Sequence, residues 1–105
     1  MDGSYSYSNE IEVNVGLPAA YDLSQNYPNP FNPTTTIRYS IPQDSKVSLE
    51  VFSILGELVS TVVNEYQSAG KYTVSFNGSR FASGTYIYRL TANQNVITKK
   101  MVLIK

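Results

Sequence analysis

Hydrophobic and polar residues alternate with a period of two along most of this chain. From Ser4 to Val15, Tyr5, Tyr7, Ile11, Val13 and Val15 share one parity, broken by Asn9, while Ser6, Ser8, Glu10, Glu12 and Asn14 share the other. Side chains alternate across a strand, so this pattern predicts an amphipathic strand with one buried and one wet face. Further on, Ile37, Tyr39 and Ile41 alternate within residues 34–41, and Val47, Leu49 and Val51 within 46–53. Residues 58–63 are apolar on both parities. Tyr72, Val74 and Phe76 alternate within 71–76, and Tyr86, Tyr88, Leu90 and Ala92 within 85–92. The last run, 96–104, ends in Met101-Val102-Leu103-Ile104, apolar on both parities and flanked by Lys99, Lys100 and Lys105. A strand of that kind is covered on both faces, or is read by a partner.

Turn residues separate these runs at intervals of about ten, the spacing of an immunoglobulin-like sandwich. They are Pro42-Gln43-Asp44-Ser45, Ile54-Leu55-Gly56-Glu57, a polar stretch at 64–70, Asn77-Gly78-Ser79-Arg80 and Asn93-Gln94-Asn95. Gly56 suits a positive φ. No stretch has a helical period. The predicted fold is an all-β, Ig-like antiparallel sandwich of about seven short strands.

Between the first run and the rest lies a proline-rich stretch. Gly16-Leu17-Pro18 breaks the leading strand, and Pro28, Pro30 and Pro33 follow in close succession. Each proline fixes φ and removes a backbone donor, and the residue before it is pushed toward extended conformations. This predicts an ordered, extended entry loop anchored by Tyr27 and Phe31. The expected organisation is therefore a leading strand at 1–16, a connector at 17–33 and a sandwich at 34–105.

Composition narrows the chemistry. The 105 residues include no Cys, His or Trp, and eight basic residues balance eight acidic ones. That rules out a disulfide framework, thiolate or Ser-His-Asp nucleophiles and the common zinc and iron–sulfur sites. It provides no bulk field toward nucleic acid or anionic lipid. Nine Tyr and four Phe fit a pleated, half-buried surface. No segment reaches the about 18 apolar residues of a membrane span. Met1-Asp2-Gly3-Ser4 lacks the basic and apolar regions of a signal peptide.

Individual clusters read as surface or turn chemistry. Glu10 and Glu12 share the wet face of the leading strand with no partner. Asp22-Leu23-Ser24-Gln25-Asn26 starts like a calcium loop, but Tyr27 stands where glycine is needed and Pro33 where glutamate is needed. Asn77-Gly78-Ser79 is a glycosylation sequon and also an Asn-Gly turn, and the turn reading is the stronger. Tyr86 and Tyr88 share a face that either packs in the core or forms a sugar platform. The terminal lysines either protect an edge strand or meet an acidic partner or a lipopolysaccharide phosphate. No catalytic pair, metal site or cofactor loop emerges, so the chain is expected to be a non-enzyme without cofactors.

One ordered series of motifs is more specific. Asn26-Tyr27-Pro28-Asn29-Pro30-Phe31-Asn32-Pro33-Thr34-Thr35-Thr36-Ile37 resembles the entry motif of C-terminal sorting domains of type IX secretion cargo proteins. The resemblance continues through Val51-Phe52-Ser53-Ile54-Leu55-Gly56, Ala69-Gly70-Lys71-Tyr72, Ser83-Gly84-Thr85-Tyr86-Ile87-Tyr88 and Thr98-Lys99-Lys100-Met101-Val102-Leu103-Ile104-Lys105. It covers about residues 23–105, and a related Ig-like domain occurs in flagellar hook-capping proteins. The resemblance implies a non-catalytic address label on a cargo exported through the periplasm of a Gram-negative bacterium to its surface. The implied partners are an outer-membrane translocon and a sortase-like peptidase. The implied recognition residues are Gly70, Tyr72, Gly84, Tyr86, Lys99, Lys100 and Lys105, with Asn26, Pro28, Asn29, Pro30 and Phe31 as the connector motif. Residues 1–16 resemble the closing strand of a preceding module, so the chain is expected to be an excerpt of a larger cargo. The competing expectation is a structural subunit that self-associates through Ser4 to Val15, head to tail, into a filament.

Overall fold

The computed structural model describes residues 18–105, which form seven strands and no helix. They are β1 (Asp22–Leu23), β2 (Thr34–Ile41), β3 (Ser45–Ser53), β4 (Leu58–Gln67), β5 (Gly70–Asn77), β6 (Gly84–Ala92) and β7 (Asn95–Leu103). The leading strand expected from Ser4 to Val15 lies outside the described residues.

Two antiparallel sheets pack as a sandwich. One has the order β1-β2-β5, the other β4-β3-β6-β7. The chain changes sheet at β2–β3, at β4–β5 and at β5–β6. This is an Ig-like arrangement, and the alternation in the sequence dictates its inner face. Ile37, Tyr39 and Ile41 of one sheet meet Val47, Leu49, Val51, Tyr88, Leu90, Ala92, Met101 and Leu103 of the other in a single core. At about 25 cal/mol per Å² of buried apolar area, this cluster is the main stabilising term.

The turns follow the residues that allow them. Gly56 takes φ +91 in the β3–β4 hairpin, as its position predicts. Asn93 takes φ 55 in the two-residue link between Ala92 and Asn95, a conformation that asparagine tolerates.

Two expectations change. The polar stretch at 64–70 is strand except for the link Ser68-Ala69. β4 runs on to Gln67, and Glu65 and Tyr66 pair with Val47 and Lys46. On an edge strand both faces can be wet, so polarity does not end it. The register between β3 and β4 also slips twice, leaving Val62 and Val59 as extra residues. These bulges explain why β4 is apolar on both parities, because both valines turn back onto the core. They also twist an exposed edge, which discourages strand addition.

The connector is the second change. It contributes a strand of its own, β1, whose Leu23 is buried in the core. Beyond β1 it does not run extended, and the bonds before Pro28, Pro30 and Pro33 are all cis. It crosses from one sheet to the other within five residues: Tyr27 bridges to Thr36 of β2, and Phe31 bridges in parallel to Leu103 of β7. Phe31 anchors it as expected, at 1% exposure, but Tyr27 is 74% exposed and holds only through its backbone.

Candidate recognition surface

The connector motif is built around Asn26, a buried polar residue at 2% exposure. Its Nδ2 donates to the Pro28 carbonyl at 3.1 Å and to Thr35 Oγ1 at 3.0 Å. Its Oδ1 accepts from Gln25 Nε2 at 2.7 Å. Thr35 Oγ1 in turn donates to the Pro28 carbonyl at 2.8 Å. A buried amide must have its donors and acceptors met, and this loop meets them internally. The three-proline spacing therefore serves to fold the chain around one asparagine. The calcium-loop resemblance of residues 22–26 has the same explanation, since the side chain of Asn26 is fully engaged here.

Asn29 and Phe31 reach the other sheet. Asn29 Oδ1 accepts from the Val102 amide at 2.9 Å. Phe31 donates its amide to the Val102 carbonyl and accepts from the Ile104 amide, both at 2.9 Å. Gln25 Nε2 donates to the Lys100 carbonyl at 2.6 Å. Pro28 and Pro30 are exposed and shape the path between these anchors.

The two Gly-x-Tyr motifs are one device used twice. Tyr72 opens β5 and its hydroxyl donates to the Ser68 carbonyl, four residues back. Tyr86 opens β6 and donates to the Ala82 carbonyl at 2.6 Å, also four back. Such tyrosine corners fix the chain where it turns into a strand of an Ig-like sandwich. Gly70 and Gly84 stand two residues before each tyrosine, at φ +158 and +154. The ring of Tyr72 stacks on Tyr39 at 5.3 Å, and Tyr86 lies in the core. Tyr86 and Tyr88 are both buried, so they form no exposed sugar platform. Replacing Tyr86 by phenylalanine is expected to lower stability by about 1 kcal/mol, the worth of one partly buried hydrogen bond. Urea unfolding of the variant checks this, and Tyr72→Phe should lose less because its bond is exposed.

The three lysines occupy different settings. Lys99 is half-buried on the inward parity of β7, opposite Tyr88. A lysine turned inward on an edge strand discourages pairing with another chain. Lys100 is exposed on the outer face, opposite Ile87. Lys105 is exposed, with Nζ donating to the Ser79 carbonyl at 2.7 Å and its amide donating to Ser83 Oγ at 3.1 Å. Lys99 and Lys105 therefore point to different surroundings, although sequence groups them.

Elsewhere, a shallow trough of ≈ 410 Å³ crosses the outer face of the three-stranded sheet, lined by Asp22, Ser24, Arg38, Ser40, Lys71 and Thr73 among others. Its Ser40 hydroxyl donates to the Ala20 carbonyl rather than to Asp22 or Lys71. Asn77 ends β5 just ahead of the turn, its Oδ1 accepting from the Ser79 amide at 2.9 Å. Gly78 is packed rather than freely turned: a Cβ there would lie 3.1 Å from Leu103 and 3.2 Å from Phe31. No helix among the described residues is long and apolar enough to cross a membrane.

The sequence model of the family described as "Secretion system C-terminal sorting domain" matches residues 25–105. The chain belongs to this family. It carries a type IX secretion C-terminal sorting signal. The family implies a secreted or cell-surface cargo, and it is not a catalytic one. The match begins at Gln25, the residue that first ties the connector to β7. Comparisons with curated proteins and with solved structures gave no match. Nothing found supports the filament-subunit reading, and the strand it invoked lies outside the described residues.

Proposed function

We propose that this sorting domain directs a cargo protein, attached ahead of it, through the periplasm of a Gram-negative bacterium to the cell surface. In this reading the outer-membrane translocon recognises the folded domain. A sortase-like peptidase then removes it, and the cargo is anchored outside. Residues 34–105 supply the recognised body, and residues 17–33 act as the connector to the cargo. Gly70, Tyr72, Gly84 and Tyr86 serve recognition by fixing the shape of the strand entries, whereas Lys100 and Lys105 offer exposed charge. The match of the family over residues 25–105 carries this reading. Its test is a reporter protein fused ahead of the full chain. In a host with the type IX system the reporter is expected outside the cell. In the same host without its translocon it is expected to stay inside, and equal export from both strains would refute the proposal.

A further inference from the structure

Three chain segments converge where β7 ends. The connector pairs with Val102 and Ile104 through Phe31, with Val102 through Asn29, and with the Lys100 carbonyl through Gln25. The β5–β6 connection holds Lys105 through Ser79 and Ser83. The outer edge of β7 from Lys100 to Ile104 is thus already paired, and a partner cannot read it by adding a strand.

What this end leaves open is side chains. Lys100, Ile104 and Lys105 are exposed on the tail, and Arg80 is exposed on the β5–β6 connection. The β3–β4 hairpin lies at the same end, since Ser53 pairs with Tyr86 and Gly84 with Leu103. Its Ile54 and Leu55 are 66% and 84% exposed, although they sit inside one of the family-like motifs. Residues 18–105 hold eight basic residues against five acidic ones, Asp22, Asp44, Glu50, Glu57 and Glu65. Only Glu57 among these belongs to this end, because Glu50 pairs with Arg89 in mid-sheet and the others lie toward the far end. Exposed apolar groups at an end where Arg80, Lys100 and Lys105 outnumber the one acid, Glu57, match a protein surface that is apolar and acidic. A phosphate headgroup would meet the cations but not the apolar side chains of Ile54, Leu55 and Ile104.

Building on the sorting reading, we propose that this end, assembled from residues 29–31, 54–55, 79–83 and 100–105, is the surface that the secretion machinery reads. Its partner there is a protein with a surface that is apolar and acidic. Asn29 is a positioning residue: it touches no partner but holds the backbone that presents Lys100, Ile104 and Lys105.

The reporter fusion with the full chain tests this. Asn29→Leu is expected to lower export about tenfold. The amide it frees at Val102 is exposed, so water replaces the bond and melting changes little. Asn29→Asp keeps the acceptor and is expected to restore export, which a merely space-filling role would not require. Arg80→Glu with Lys100→Glu is expected to lower export at least as much, and Lys46→Glu with Lys71→Glu, at the far end, to leave it unchanged. Full export of both Asn29→Leu and the Arg80/Lys100 pair, with wild-type export intact, overturns this inference and leaves the sorting reading standing. Loss of binding to lipopolysaccharide vesicles by the Arg80/Lys100 pair, with export unaffected, overturns the assigned partner class. Failure of wild-type export overturns the sorting reading and this inference together.

Discussion

Truncating Phe31 to alanine is expected to lower the unfolding free energy by about 3–5 kcal/mol, the usual cost of removing a fully buried aromatic side chain. Phe31 is 1% exposed, meets Phe76 edge to face at 6.1 Å, and fills the space that Gly78 leaves open. Its backbone also carries both bonds to β7. The variant can keep those bonds, so the loss comes from the ring and the void it leaves. Domains of this size lose roughly 4–8 °C of Tm per kcal/mol, so a fall of about 12 °C or more is expected. Tyr27→Ala, four residues earlier, removes a ring that is 74% exposed and is expected to change stability by no more than about 0.5 kcal/mol. Thermal and urea unfolding of both variants give the comparison. Similar losses in the two would mean that Phe31 does not lock the connector into the core.

That contrast marks how far the sequence could be read. Period-two alternation located six strands and named their inner residues, because an inward position on a strand must be apolar to be buried. It could not separate Phe31 from Tyr27, since a proline-rich loop has no period from which to infer a face. It missed β1 for a related reason: two residues, with Leu23 alone pointing inward, make no alternation. It ended β4 too early because Asn64, Glu65 and Gln67 look like a loop, whereas an edge strand tolerates polar residues on both sides. Family resemblance singled out the two Gly-x-Tyr motifs without their mechanics. The clue was present in the parallel spacing of Ser68-Ala69-Gly70-Lys71-Tyr72 and Ala82-Ser83-Gly84-Thr85-Tyr86, each a carbonyl, a glycine and a tyrosine two residues apart. The hydrogen bond from hydroxyl to carbonyl turns that spacing into a corner. The link from the connector to residues 100–105 spans more than seventy positions, and no local pattern reports it.

Tyr88 shows what replaces a disulfide in this cysteine-free sandwich. It stands two residues after the corner tyrosine Tyr86, where antibody-type domains place a cysteine of their inter-sheet bridge. Its ring is fully buried, and its hydroxyl accepts from the Asn26 amide at 2.8 Å and donates to the Ser24 carbonyl at 2.7 Å. One phenol thus ties β6 to the connector that bridges both sheets. Tyr88→Phe keeps the ring but leaves a buried N–H and a carbonyl unmet, and is expected to cost about 2–4 kcal/mol. The variant should also differ from the wild type in alkali. Burial raises the Tyr88 phenol above its ordinary 10.0, partly offset by the bond from Asn26, and burial raises Tyr39 as well. Each folded phenol therefore holds its proton more tightly than the unfolded chain does. The resulting stability is complete below pH 10 and is lost as pH rises from there through the raised folded values. Tyr21 works the other way, because hydrogen bonds from Ser45, Gln43 and Asn93 lower its phenol at the surface. The comparison of Tyr88→Phe with the wild type cancels that opposing contribution. Urea unfolding above pH 10 should therefore fall less steeply in the variant. If the two curves run parallel, the Tyr88 proton is not linked to folding, and its hydroxyl does not hold the connector.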